Sequence, residues 1–161
     1  MKKQLLFGFI AAAFIISCTT NGSGSEQNRS IMNISDISGK EWRLIEVHIN
    51  GVDTKFSRNT LSNDFSRDMY TATFDAADRQ IVSGFGFPNR YSAPFTLGDN
   101  QSIKIMAMIS TMMAPLFQID GLNEHDFFAY MQNSEKWEII GNKLELYSKT
   151  TDNRNVRLVF E

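Results

Sequence analysis

The chain of 161 residues is short of several things at once. It has one cysteine, three prolines and two histidines, and its acidic and basic residues nearly balance at 18 to 16. A single thiol excludes an internal disulfide, so the strategy by which many small exported domains staple a thin core is closed to it. Neither His48 nor His125 has a second histidine or a cysteine at ligand spacing, which leaves no zinc-type motif. A net charge of −2 provides no basic stripe to displace counterions from a phosphate backbone, and this excludes nucleic acid as a partner. The apolar run from Leu5 to Ile16 is about a dozen residues, against the ~20 needed to span a bilayer. Gly84 and Gly86 are followed by Phe87-Pro88, which cannot open a helix, so a dinucleotide fingerprint fails as well. These two glycines mark a bulge or sharp bend in a strand rather than a phosphate cradle.

The lone cysteine is explained by its position. Met1-Lys2-Lys3, the apolar run and Ser17 form a charged region, a hydrophobic region and a small residue at a cut point, and Cys18 follows directly. Ile15-Ile16-Ser17-Cys18 is the pattern of a bacterial lipoprotein signal, with Ile15 where leucine is commonest. The expectation is a signal peptide over residues 1–17 and a mature chain starting at a lipid-bearing Cys18. Plain secretion and a retained anchor are the alternatives. Thr19, rather than aspartate, follows the cysteine, so attachment to the outer membrane, facing the periplasm or the surface, is the default localisation. Loss of Lys2 and Lys3 with the signal would take the net charge from −2 to −4.

Residues 18–34 have almost nothing to bury and read as a flexible tether. A single domain is expected over residues 35–161, and with 42% hydrophobic residues and 13 phenylalanines it can build a real core without disulfides. Glu41 to Ile49 reads as a strand, with Asn50-Gly51 as a tight turn after it. Lys55 to Arg67 reads as a loop with at most one helical turn. Further strands are expected over Met69–Asp75, Gln80–Phe85, Tyr91–Leu97 and Ser102–Ile109, then Lys136–Ile140, Lys143–Ser148 and Asn155–Phe160. One helix is well signalled. Asn123 is a good N-cap, Glu124 and Asp126 favour the positive helix end, and Leu122 can staple onto Phe127. Phe127, Phe128 and Met131 give it an apolar face. The fold class expected is α+β, a strongly curved, mainly antiparallel sheet forming a partial barrel with one main helix packed against it.

Ser83 to Phe95 carries a family likeness. Gly84, Asn89, Tyr91, Ala93 and Phe95 fall in register with the hallmark of the META domain, and the chain resembles the HslJ-like, heat-shock-inducible lipoproteins that contain it. A second motif is similar at Thr111-Met112-Met113-Ala114-Pro115. Flanking likenesses occur at Gly39-Lys40-Glu41-Trp42 and over Trp137 to Leu146. The resemblance covers about residues 36–161. It implies an envelope protein linked to stress tolerance or virulence, and no catalytic residues to carry over. Three positions depart from it: Phe87 replaces a usual glycine, and Pro88 and Pro115 stand where the family has cysteines. If those cysteines pair, loss of both is self-consistent and removes a staple of ~2–4 kcal/mol. Two prolines recover part of that by restricting the unfolded chain.

Candidate sites are few. Asn89 and Tyr91 read either as polar contacts in a pocket near the Gly/Pro corner or, more simply, as corner residues that satisfy backbone and pack. Met106, Met108, Met112 and Met113, with Phe117 nearby, form a methionine-rich patch. It reads as adaptable core packing or as a flexible apolar groove for a lipid or a partner segment. Copper(I) is a further reading of the sulfurs, but no histidine or cysteine accompanies them. His125 reads as a surface residue, His48 lies opposite the apolar register and is expected to be exposed, and Ser83 and Ser110 have no evident base. The expectation is a non-enzymatic binding or structural protein without cofactor or metal. Its partners would be the membrane, through the lipid, and an apolar small molecule or an envelope protein. A hydrolase working through scattered carboxylates is the alternative.

Overall fold

The structure, a computed structural model, describes residues 34–55, 69–76, 78–114 and 121–161. Cys18, the expected signal and tether, most of the loop expected after Lys55, Pro115 and Phe117 lie outside these residues. Among the described residues, ten strands and one α-helix follow a short 3-10 turn at Ile34–Asp36. The strands are β1 (Glu41–Ile49), β2 (Val52–Lys55), β3 (Thr71–Asp75), β4 (Ile81–Gly86), β5 (Asn89–Leu97), β6 (Ile103–Ile105) and β7 (Ile109–Ser110). The helix α1 (Glu124–Gln132) precedes β8 (Lys136–Ile140), β9 (Lys143–Lys149) and β10 (Asn155–Phe160).

The strands form one antiparallel sheet in the order β6-β5-β4-β3-β1-β10-β9-β8, with β2 on β1 and β7 on β5. Its two ends meet. Ser102 bridges to Lys136, and the Ile103 N–H donates to the Glu135 carbonyl at 3.0 Å, so the curved sheet is a nearly closed barrel. The α+β architecture follows from the sequence pattern: short alternating strands, tight turns and one amphipathic helix.

β1 carries a local irregularity with wide effect. Leu44 pairs with Phe160 and Glu46 with Val159, so Ile45 is one residue in excess of β10. Such a bulge reverses which residues face inward. Trp42 and Leu44 are buried before it and Val47 after it, and His48 turns to the outer face. The Trp42 indole N–H donates to the Ile37 carbonyl at 3.0 Å and fastens the start of the domain to β1. The Asn50-Gly51 turn has positive φ at both residues (50° and 81°), the type I′ geometry that matches strand twist. β2 returns from it along β1, a strand that the polar sequence did not announce.

The interior is filled by Phe74, Phe95, Phe127, Phe160, Leu144, Leu146 and Leu158, all essentially fully buried. Burying each such side chain contributes roughly 1.5–3 kcal/mol. α1 is capped as its sequence indicates: the Asn123 side chain accepts the Asp126 N–H at 2.8 Å. At its other end, the Ser148 and Ser134 hydroxyls both donate to the Tyr130 carbonyl. The helix sits against β4 at Gly86, where a Cβ would lie 2.5 Å from the Phe128 ring.

Gly84 permits a close approach between β3 and β4. An added Cβ there would meet the Thr71 carbonyl oxygen at 2.0 Å, a backbone atom that cannot swing aside. Gly84→Ala is therefore expected to lower stability by about 2–3 kcal/mol through overpacking. Equilibrium denaturation checks this, and a loss under about 0.5 kcal/mol would show that β3 and β4 have room to part.

Candidate functional site

β4 and β5 join through Phe87 and Pro88, with a cis bond between them, and Gly86 pairs with Asn89 across the turn. Asn89 is buried, and its side chain is engaged through both its oxygen and its nitrogen. Its Oδ1 accepts from the Thr111 hydroxyl and from the Met113 N–H, each at 2.7 Å, and its Nδ2 donates to the Met113 carbonyl at 3.1 Å. The Thr111 hydroxyl in turn accepts the Arg90 N–H at 3.2 Å. A carboxamide has the donor and acceptors to imitate a backbone strand partner, and Asn89 uses them to hold Thr111–Met113 against β5. The two sequence motifs are thus in physical contact. Tyr91 reaches in the other direction. Its ring lies over Gly84 and its hydroxyl donates to the Thr71 carbonyl at 2.8 Å. The ring also meets Phe127 and Phe128 of α1 with centroids 5.8 and 5.3 Å away.

The methionines lie along the neighbouring edge. A continuous strand was expected over Ser102–Ile109, but the ladder breaks at Met106–Met108. Phe95 pairs with Ile105 and Ser92 with Ile109, so two residues of β5, Ala93 and Pro94, face three. The cause is Pro94. The Phe95 N–H points to β4, where it donates to the Gln80 carbonyl, so position 94 faces β6 and β7 and has no N–H to give. Only its carbonyl contributes, accepting the Met106 N–H at 2.9 Å. Met108 is partly buried against the core, while Met106 and Met113 are exposed. Ile109 is 77% exposed and Met112 99%. Most of this edge is therefore an apolar surface rather than core.

His48 corrects the sequence reading. It does lie on the outer face, but it is only 8% exposed. Nε2 is 3.0 Å from Glu46 Oε2, and Nδ1 contacts Asp53. Nη2 of Arg157 lies 3.2 Å from both ring nitrogens, which places the guanidinium over the ring. Asp53, His48, Arg157, Tyr147 and Lys136 stand directly opposite one another across β2, β1, β10, β9 and β8. Beside this row, the Tyr147 hydroxyl contacts Glu145 at 2.8 Å and Glu138 at 3.0 Å, while Arg157 pairs with Glu145 and Lys136 with Glu138. The sequence signal for this network was available only as residues two apart on each strand. Its assembly required the register.

With carboxylates at both nitrogens and Arg157 above it, the His48 ring has no free nitrogen for a substrate. His125 is exposed on α1. Among the described residues, no group of three or more histidine, cysteine, aspartate or glutamate side chains is placed to hold a metal, and no helix is long and apolar enough to cross a membrane. Burial raises the pKa of all four tyrosines. The charges of Glu124 and Asp126 add to this at Tyr70, and hydrogen bonds to Glu145 and Glu138 add to it at Tyr147.

A nearly closed antiparallel barrel, plugged by one helix and organised around a Gly-x-Gly hairpin, defines a small α+β class. Residues 35–160 match the META domain, and the chain belongs to that family. Among solved structures, a protein from Burkholderia xenovorans is similar, with a TM-score of 0.50 at 17% identity, over 78% of this chain and 83% of that one. A DUF4847-family protein from Bacteroides vulgatus has a TM-score of 0.49 at 10% identity, over 77% of this chain and 92% of that one. The first supports the fold alone. Comparison with curated proteins finds no match.

Two outcomes follow from this geometry. Asn89→Ala removes three hydrogen bonds and is expected to cost about 1–3 kcal/mol, with faster amide exchange concentrated at Thr111–Met113. Thermal unfolding and hydrogen exchange read this, and uniform exchange would contradict a local clamp. Tyr70 and Tyr91 hold their protons more tightly when folded than at the ordinary phenol value of 10.0. The stability they contribute is complete below that pH and is lost as the pH rises above it. Phenolate absorbance should therefore appear together with unfolding. Ionisation of all four tyrosines near 10 in a folded domain would refute this.

Proposed function

We propose that this META-domain chain is a non-enzymatic lipoprotein of the bacterial cell envelope, anchored through Cys18, that works by surface binding. The observation that carries the reading is the contrast between a barrel filled by phenylalanine and leucine and an edge, Met106–Met113, that exposes apolar side chains. A filled interior favours contact at the surface over enclosure of an apolar small molecule. The engaged His48 ring and the structural use of Asn89 and Tyr91 weigh against catalysis. The family likeness supports a part in envelope stress tolerance, and Thr19 supports outer-membrane attachment.

One observation favours the hydrolase alternative. Glu138 and Glu145 stand directly opposite on β8 and β9 with the Tyr147 hydroxyl between them. Paired acids of this kind can serve acid–base chemistry when one is held protonated. Here Lys136 and Arg157 pair with them, and they occupy the outer face of the barrel. The surface-binding reading is the stronger.

Cys18→Ser tests the anchor. The native protein is expected in the membrane fraction with an N-terminal peptide heavier by its lipid. The variant is expected in the soluble fraction with the same thermal midpoint. A native chain that is soluble and carries an unmodified thiol would overturn the lipoprotein reading.

A further inference from the structure

We infer that the bulged edge Met106–Met113 is a membrane-contacting face that lays its side chains into the headgroup boundary of the bilayer holding the anchor. This deepens the surface-binding proposal and rests on it. Exposed apolar residues scattered singly are ordinary, whereas a contiguous group marks an interaction surface. Met106, Ile109, Met112 and Met113 fall within eight residues of one edge. Residues 103–114 contain Lys104 and no acidic residue, and the exposed Arg90 is joined to Thr111 by backbone hydrogen bonding. Apolar side chains rimmed by cations suit a surface of acyl chains under phosphate headgroups.

The length of chain before the domain and the place where it ends put the bilayer within reach of this edge. The domain begins beside Phe74, where Ser38 bridges to β3. Phe74 pairs with Val82, Val82 with Ala93, and Ala93 faces the Met106–Met108 bulge. Four interstrand steps of ~4.8 Å put the edge about 19 Å from that point. Residues 18–33 can extend ~50 Å. An anchor at Cys18 therefore lets the edge meet the same bilayer, at the high effective concentration that tethering provides.

The test uses the mature chain from residue 18 with Cys18→Ser, so that no lipid assists binding. The probe is vesicles of phosphatidylethanolamine with a minority of phosphatidylglycerol. Co-sedimentation is expected with lipid in large excess, a contact too weak without the anchor to survive the dilution of cell fractionation, and Met112→Asp combined with Ile109→Asp should weaken it by about tenfold or more, on the apolar area withdrawn. Val52→Asp, at an exposed apolar residue outside this edge, should change nothing. Met112→Asp alone, at a side chain with almost no contact to the fold, keeps the result interpretable if the double variant unfolds. Absence of vesicle binding, or equal binding by all variants, overturns the inference while leaving the anchor to its own fractionation test. A concentration-dependent dimer that Ile109→Asp abolishes, without vesicle binding, would overturn it in favour of a second copy of the chain.

Discussion

The domain depends on the contact made across Gly84. Because that residue has no side chain, the Thr71 carbonyl comes close enough to β4 for the Tyr91 hydroxyl, on the next strand over, to reach it. The Tyr91 ring then becomes a wall of the pocket that receives Phe127 and Phe128. Gly86, two residues on, leaves room for those rings, so the seat of α1 is set by the same short strand. Tyr70, just before β3, closes the cluster, with its ring 4.9 Å from Phe127 and its hydroxyl donating to the Leu122 carbonyl. One bare position thus links three strands and the start of the helix segment.

Much of this order could be read from the chain because it is local. The N-cap at Asn123, the apolar face of α1 and the Asn50-Gly51 turn each depend on residues within a turn of one another. The α+β class and the family likeness came from the same kind of short-range pattern. What could not be read depends on partners far along the chain. The bulge at Ile45 is visible only against β10, and the cover that Arg157 gives the outward-facing His48 depends on the same pairing. The break at Met106–Met108 is caused by a proline on a different strand. Asn89 looked like a corner residue or a pocket contact. That it grips Met113 depends on a pairing 24 residues away.

That grip bears on the family comparison. The two positions where the likeness leads one to expect cysteine carry Pro88 and Pro115, and Asn89 and Met113 lie close beside them in sequence. If the family's cysteines pair, this chain joins by hydrogen bonds the same two segments that they would join covalently. The outer-face ion network is a different matter. Pairs in which one or both partners are solvated contribute at most ~1 kcal/mol each, so the row from Asp53 to Lys136 organises the surface more than it stabilises the fold.

The central place of β1 has a consequence for how the protein comes into being. β1 is the first strand of the domain, yet it lies between β3 and β10, and the Arg43 and Glu161 backbones exchange hydrogen bonds at 2.9 and 3.0 Å. A chain delivered from its N-terminus by a ribosome must hold β1 with one side open until the final strand arrives. Fragments that lack β10 cannot lock this side of β1. Closure is then a late, long-range event, and a sheet built on such distant pairings folds slowly compared with a helical bundle of the same size. Until β10 docks, the open side of β1 presents unpaired backbone groups, a template for pairing with another chain.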